Sequence, residues 1–434
     1  MSFLKKIGLI LLLIQTTLAN AEDLLDIYQQ ALRADPELRT AQFKVNLGNA
    51  QKGQALGQLL PQVNASANWS ANNQHLNKKD NNYAGTRYYI SLNQSLIDFA
   101  KFWDWRRAQE VENQYASELT DAQHALMLNV IERYFSSLDA EDALYLTQLE
   151  IQATSSQLEQ IKKLFTKQLV TIPDVYEVEA RLDQLKADEI EAESNLTITK
   201  QALNELTNQF PLQLNKLREN IEYNDLEGKL EDWIQVAKSE NPILAAKQSA
   251  IEAANNNVTV QKSKYLPVVD LQLNYYDTNT GYQNSLSSQY QTQVAAININ
   301  IPIFTGGMTT YRMREAQSRL SMIQEEKEAK TRALIKEVSD AYTASNANAR
   351  RIKASEIALR SAAKSLEAMQ SGLKYGVESI SDVLRAQQEE FKAKRALSKA
   401  RYKYITNRIR FLKAIGTISE GNLHEVNSWL VKQK

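Results

Sequence analysis

The sequence predicts a mostly α-helical chain with a small β part, in which long antiparallel helix pairs and four strands are built as two copies of one plan. Three observations lead there. Asp35-Pro36 and Leu60-Pro61 recur as Asn241-Pro242 and Leu266-Pro267 with the same separation, at an offset of about 206 residues. That offset is too long for a solenoid repeat and marks duplication of a whole unit. Only 13 Gly and 7 Pro punctuate the 434 residues, and they cluster, which leaves very long breaker-free stretches. Apolar residues step by three or four in those stretches but alternate strictly after Pro61 and after Pro267.

Residues 1–21 read as a secretory signal: Lys5 and Lys6, an apolar run from Ile7 to Ile14, then Ala19-Asn20-Ala21 as a cleavage site. The run is shorter than the roughly 20 apolar residues that cross a bilayer, so a membrane anchor is the weaker reading. The mature chain is then expected to begin at Glu22. Cysteine is absent, so neither a disulfide framework nor a lipid-modified N-terminal Cys is expected. The 51 basic and 51 acidic residues cancel, which removes any bulk drive toward nucleic acid.

Two structural repeats follow, 22–225 and 226–434, the second with a C-terminal tail. Each opens as helix, break, helix. Leu24, Ile27, Tyr28, Ala31 and Leu32 hold helical spacing; Asp35 then caps a second helix with Pro36 in its first turn, as Asn241 and Pro242 do again. After Pro61 the period becomes two. Val63, Ala65, Ala67, Trp69 and Ala71 alternate with Asn64, Ser66, Asn68 and Ser70, and Tyr88, Ile90 and Leu92 with Ser91 and Asn93. Val269, Leu271, Leu273 and Tyr275, then Ile297, Ile299 and Ile301, make the second hairpin. The polar face is Asn, Ser and Gln rather than charge, and Trp69, Tyr83, Tyr88, Tyr275, Tyr276, Tyr282 and Tyr290 lie at or near segment ends. Strands of roughly ten residues with this alternation fit a transmembrane β-barrel or a half-buried soluble sheet. An export signal on a Cys-free chain favours the membrane.

The remainder is helix. Leu119, Ala122, Leu126, Val130, Tyr134 and Leu138 step by three or four, as do Leu320, Ile323, Leu334, Val338 and Tyr342. A rod of about 65 residues would be on the order of 100 Å long and cannot bury itself alone. Each rod ends near a short connector, Lys167 to Thr171 and Gly372 to Ser379, after which a second helix returns. Four helices per chain suit an antiparallel coiled-coil arrangement.

Four strands cannot close a membrane barrel, which needs at least about eight, and an open edge in lipid costs several kcal/mol per unpaired backbone group. If the strands lie in a membrane, the chain must assemble with copies of itself. Across its mature length the chain resembles the TolC-like outer membrane efflux proteins. The residues carrying this are Asp26-Ile27-Tyr28-Gln29-Gln30-Ala31 with Asp35-Pro36-Glu37-Leu38, Leu59-Leu60-Pro61-Gln62, Pro302-Ile303-Phe304-Thr305-Gly306-Gly307 and Ser381-Asp382-Val383-Leu384. The resemblance implies a homotrimer with a 12-stranded barrel in outer membrane lipid and a 12-helix α-barrel tunnel across the periplasm. It implies a passive exit duct that partners a periplasmic adaptor (membrane fusion) protein and an inner-membrane transporter.

The entrance is expected at the turns far from the barrel, where Thr171-Ile172-Pro173-Asp174 aligns with Ser379-Ile380-Ser381-Asp382. Both read as capping boxes, and the same carboxylates would form rings in a symmetric pore. In the family this turn supplies acidic rings and polar links. This chain departs from that pattern with Leu373, Glu378 and Arg385, so the gate is expected to pair Glu378 or Asp382 with Arg385 across helices. Lys167, Gln168, Gly372, Lys374, Tyr375 and Gly376 are the adaptor-docking turns by resemblance. Trp69, Tyr88, Tyr275 and Tyr290 are the expected membrane-interface aromatics.

No catalytic residue, metal site or cofactor is expected: the three His, at 75, 124 and 424, have no ligand spacing, and no phosphate loop or nucleophile motif occurs. Nucleic acid is not an expected partner. The alternative function is a soluble periplasmic coiled-coil protein with a structural or adaptor role.

Overall fold

A computed structural model describes residues 22–76, 79–211, 213–279 and 289–431. The signal segment and Tyr282 lie outside the described residues. The first copy runs α1 (Leu24–Ala34), α2 (Pro36–Gly57), β1 (Gln62–Leu76), β2 (Lys79–Ile97), α3 (Phe99–Thr166), α4 (Ile172–Thr207) and the short β3 (Lys216–Leu217). The second runs α5 (Leu230–Glu240), α6 (Pro242–Ser263), β4 (Val268–Thr278), β5 (Tyr290–Asn300), α7 (Met308–Lys374) and α8 (Ile380–Ala414), followed by α9 (Glu420–Ser428) and β6 (Leu430–Val431). Equivalent helices match in length: 11 and 11, 22 and 22, 68 and 67, 36 and 35 residues. α7 continues through Gly372 to Lys374, so the second connector is shorter than its sequence suggests.

Four strands form one antiparallel sheet in the order β1-β2-β4-β5. The register sorts its faces. Val63, Ala65 and Ala67 stand opposite Leu92, Ile90 and Tyr88, and Leu271 and Leu273 opposite Ile297 and Ala295, all on one apolar face. Asn64 and Asn68 stand opposite Ser91 and Arg87, and Asp270 opposite Asn298, on the polar face. Because the side-chain period is two, a slip of one residue would put Asn and Ser where Leu and Ile now stand.

The main core lies halfway down the rods. Leu126, Val130, Ile131, Tyr134, Phe135 and Leu138 of α3 pack with Leu24, Ile27 and Tyr28 of α1, with Tyr404, Ile405 and Ile409 of α8, and with Leu423 and Val426 of α9. α3 is enclosed on several sides there, which explains why apolar residues depart from a single stripe along this stretch. The Tyr134 hydroxyl donates to the carbonyls of Asn215 (3.0 Å) and Glu22 (3.2 Å), tying the chain's start to the rod. Burial pushes Tyr28 up to about 12, helped by Glu420, so its hydroxyl stays protonated across the physiological range.

A knuckle joins the second copy to this collar. The Asn241 amide accepts from the Ile243 N–H (3.0 Å) to cap α6 and donates to the buried Ala414 carbonyl (2.9 Å) at the end of α8. Gly416 turns the chain there with φ of +83°, and a Cβ on it would sit 2.6 Å from the Glu240 carbonyl oxygen.

Lower down, Glu150 of α3 is only 1% exposed, and its carboxylate takes Arg181 of α4 at 2.6 Å and Arg395 of α8 at 3.0 Å. The Asp142 carboxylate accepts from Ser398 (2.6 Å) and Tyr402 (2.7 Å) above it, and Gln387 donates to Thr154 (3.0 Å) below. One buried carboxylate thus holds three helices and both copies.

Two outcomes follow. Gly416→Ala should destabilise the fold by at least about 3 kcal/mol through left-handed strain and the backbone clash, read as a lower thermal midpoint of the helical signal. Glu150→Ala should cost on the order of 2 kcal/mol, less than the ~3–5 typical of a fully buried pair because both arginines reach solvent. Proteolysis should then cut the lower rods before the collar.

Candidate functional site

Neighbour order is the same at every level of the molecule. The strands run β1, β2, β4, β5; the upper helices pack α2 on α3, α3 on α6 and α6 on α7; the lower helices pack α4 on α3, α3 on α8 and α8 on α7. The result is an open wall, with β1, α2 and α4 along one border and β5 and α7 along the other. Among the described residues β1 pairs only with β2 and β5 only with β4. No described helix is long and apolar enough to cross a membrane, so a membrane span by this chain must use the sheet.

The lower wall is polarised. α4 carries nine carboxylates against three cations, and α8 ten cations against three carboxylates. The seam between the copies uses that difference. Arg395 pairs with Glu150, Arg410 with Glu132 and Lys413 with Asp121, always acid on α3 and base on α8.

At the tip, Val175 and Val178 of α4 pack with Leu158 and Ile161 of α3 and Ile380 of α8, and Leu373 and Leu384 lie against them. Both connectors are Schellman-type turns. The Leu169 N–H reaches the Leu164 carbonyl, and the Val377 N–H the Gly372 carbonyl, each at 3.0 Å. Gln168 and Gly376 occupy the equivalent left-handed positions, φ +58° and +75°. Of the expected docking residues, Lys167, Gln168, Lys374, Tyr375 and Gly376 are exposed; Leu169, Tyr375 and Val377 add apolar surface. Gly372 has another task, because a Cβ there would lie 2.4 Å from Glu378 Cγ.

The entrance residues fall differently from expectation. The Thr171 N–H and hydroxyl donate to the Asp174 carboxylate at 2.7 and 2.6 Å, and those of Ser379 to Asp382 at 3.3 and 2.5 Å. The Ser379 hydroxyl, with its N–H and then Arg385, holds Asp382 below the usual carboxylate range. Among the described residues of one protomer, Arg385 approaches Asp382 on its own helix at 4.0 Å, an i,i+3 pair whose cation is mostly solvated. Glu378 folds over Gly372 instead of meeting Arg385. The link between copies is one the sequence reading did not single out. The Ser381 hydroxyl donates to the Glu177 carboxylate at 2.5 to 2.6 Å, from α8 to α4. Its only signal in the sequence was that these positions differ between the copies.

The aromatic belt is also revised. Trp69 and Tyr88 meet edge to face at 6.1 Å on the apolar face, but in mid-strand rather than at a strand end, because β1 and β2 are longer than their alternating cores. Tyr275 shares that face through its pairing with Ile90. Tyr290 pairs with Thr278 and so stands on the polar face, where the register rather than its position at a segment end decides its direction. Phe102 and Trp103, at 5.7 Å, cluster below the sheet at the start of α3. No group of His, Cys, Asp and Glu among the described residues could hold a metal ion.

Comparison with known proteins places the wall. The chain is 31% identical to the outer membrane protein TolC of Vibrio cholerae over 94% of both chains. It is 27% identical to the alkaline protease secretion protein AprF of Pseudomonas aeruginosa, over 96% of this chain and 89% of that one. The crystal structure of CusC shares its fold with a TM-score of 0.81 at 19% identity, over 91% of this chain and 92% of that one. The model of the outer membrane efflux protein family matches residues 27–209 and 233–417. The chain therefore belongs to the outer membrane efflux protein family, and its sheet and helix pairs are one protomer's share of a homotrimeric channel that joins an outer membrane barrel to a periplasmic tunnel.

Proposed function

We propose that the trimer is the passive exit duct of an export system, receiving cargo from an inner-membrane transporter through a periplasmic adaptor that docks on the helical turns. The observation carrying this is the shared neighbour order with open borders at every level. Identical copies laid border to border continue sheet and helices together, and three supply 12 strands and 12 lower helices from the four of each per chain. Exposed Leu169, Tyr375 and Val377 give the adaptor an apolar footing beside Lys167 and Lys374. In this reading the duct is passive and choice of cargo rests with the transporter.

The closed entrance is held inside each protomer by Glu177 and Ser381, which tie α8 to α4 where the two copies diverge at the tip. The two capping boxes stiffen the helix ends on either side. Pro173 rigidifies the first, while Ser381 takes its place in the second and is free to bond.

The mature protein is expected to float with outer membranes, need detergent, and conduct in planar bilayers; a protein recovered in the soluble periplasm would instead support the structural coiled-coil reading. Ser381→Ala and Glu177→Gln should each raise conductance, whereas Arg385→Ala should leave it close to the parent; the reverse ranking would move the gate to the Asp382 and Arg385 pair. Asp382 has its pKa lowered in the fold, so its cap holds above the ordinary carboxylate range and is lost as pH falls through the lowered value. The contribution of this cap to tip stability, read as the helical signal, should therefore stay flat from about pH 7 to about 5 and fall only below about 3.9.

A further inference from the structure

The seam between α3 and α8 has a twin that one chain cannot close. Along the in-chain seam Asp142 meets Ser398 and Tyr402, Glu150 meets Arg395, and Thr154 meets Gln387. Near the tip the copies are offset by about 208 residues, the distance from Asp174 to Asp382. Exchanging the copies by that offset maps these contacts onto Arg350 with Ile190 and Ser194, Ala358 with Ala187, and Ala362 with Glu179. All of these belong to α7 and α4, the two open borders of the lower wall.

The side chains on those borders are of opposite sign; on α4 Glu179 and Asp183 also meet Lys162 (2.6 Å) and Lys186 (2.9 Å) of their own chain, while others have no ion-pair partner among the described residues. Arg350, Arg351, Lys353, Arg360 and Lys364 are exposed on lower α7, and none makes an ion pair with a described residue. Upper α7 is different: Arg319, Arg332 and Lys336 are each satisfied one turn away by Glu315, Glu328 and Asp340. On α4, Glu191 and Glu193 are likewise exposed and make no ion pair among the described residues. Between the charges run small and apolar residues, Ala354, Ile357 (63% exposed) and Ala358 on α7 and Ala180, Ala187 and Ile190 (69% exposed) on α4. That spacing is what one helix offers another, not what an isolated solvated face carries.

We propose that lower α7 of one protomer and α4 of the next form an acid–base seam along the tunnel. The occupant of each border is a second copy of this chain. The offset places Lys364 against Glu177 and Glu179 of the partner subunit, Arg360 against Asp183, Lys353 against Glu189 and Glu191, and Arg350 and Arg351 against Glu191 and Glu193. Two α4 borders would repel each other, as would two α7 borders, so the seam also enforces head-to-tail order. This rests on the ring reading above, but it assigns the residues that hold the ring below the collar.

The chain contains no Cys, so an introduced pair reports cleanly. Ala187→Cys with Ala358→Cys, oxidised in outer membranes, should give covalent trimers on non-reducing gels, and either substitution alone should not. Arg360→Glu with Lys364→Glu, added to the Cys pair, should reduce cross-linking several-fold. Adding Asp183→Lys and Glu179→Lys should restore it, an effect that simple misfolding cannot imitate. The detergent-extracted parent is weighed by light scattering alongside. A conducting trimer whose Cys pair does not cross-link overturns the seam alone, as does charge reversal without loss or without rescue. A monomer overturns the ring reading and the seam with it.

Discussion

The rest of the structure depends on one constraint, the unpaired border of the sheet. Among the described residues, β1 and β5 each leave one side of their backbone without a partner. In water such a border is a hazard for aggregation; in hydrocarbon it is prohibitive, because each unpaired amide or carbonyl costs several kcal/mol. Only another copy with the same polarity can complete it. Once the strands fix that border-to-border repeat, α2, α4 and α7 must follow, since they hang from the strands in the same order. Tunnel and barrel are therefore one continuous wall and not two domains in contact.

Within the wall, rigidity is graded. The collar around Tyr134, Tyr404 and Phe411 is large and apolar and carries the stability of the fold. Toward the tip the apolar core shrinks to a few Val, Leu and Ile side chains, and polar ties take over: Glu150 with two arginines, Gln387 with Thr154, Ser381 with Glu177. Hydrophobic burial is insensitive to small rotations, whereas hydrogen-bonded pairs are made or broken by an ångström. A duct that must open at one end and stay sealed in lipid at the other needs this gradient.

Much of this was legible in the sequence, and the rest was not for definable reasons. Alternation at Val63 to Trp69 and at Leu271 to Tyr275 betrayed the strands, because the pleat imposes a period of two. The rods and their capping boxes at Thr171 and Ser379 were legible because capping is local. The Glu150 clamp was hidden: its partners are distant in the sequence, and a lone Glu in a polar helix carries no mark of burial. Ser381 and Glu177 were unlinked for the same reason. Tyr290 was assigned by its position at a segment end, but only the register with Thr278 tells which face it takes.

The neutral composition also acquires a meaning that counting charges does not reveal. Acidic α4 and basic α8 recur around a threefold axis, so positive and negative helix pairs alternate along the wall. Zero net charge is therefore a sum of oppositely charged faces and not an absence of charge: the wall is cohesive along its circumference, and salt confines each face's field to within roughly 8 Å.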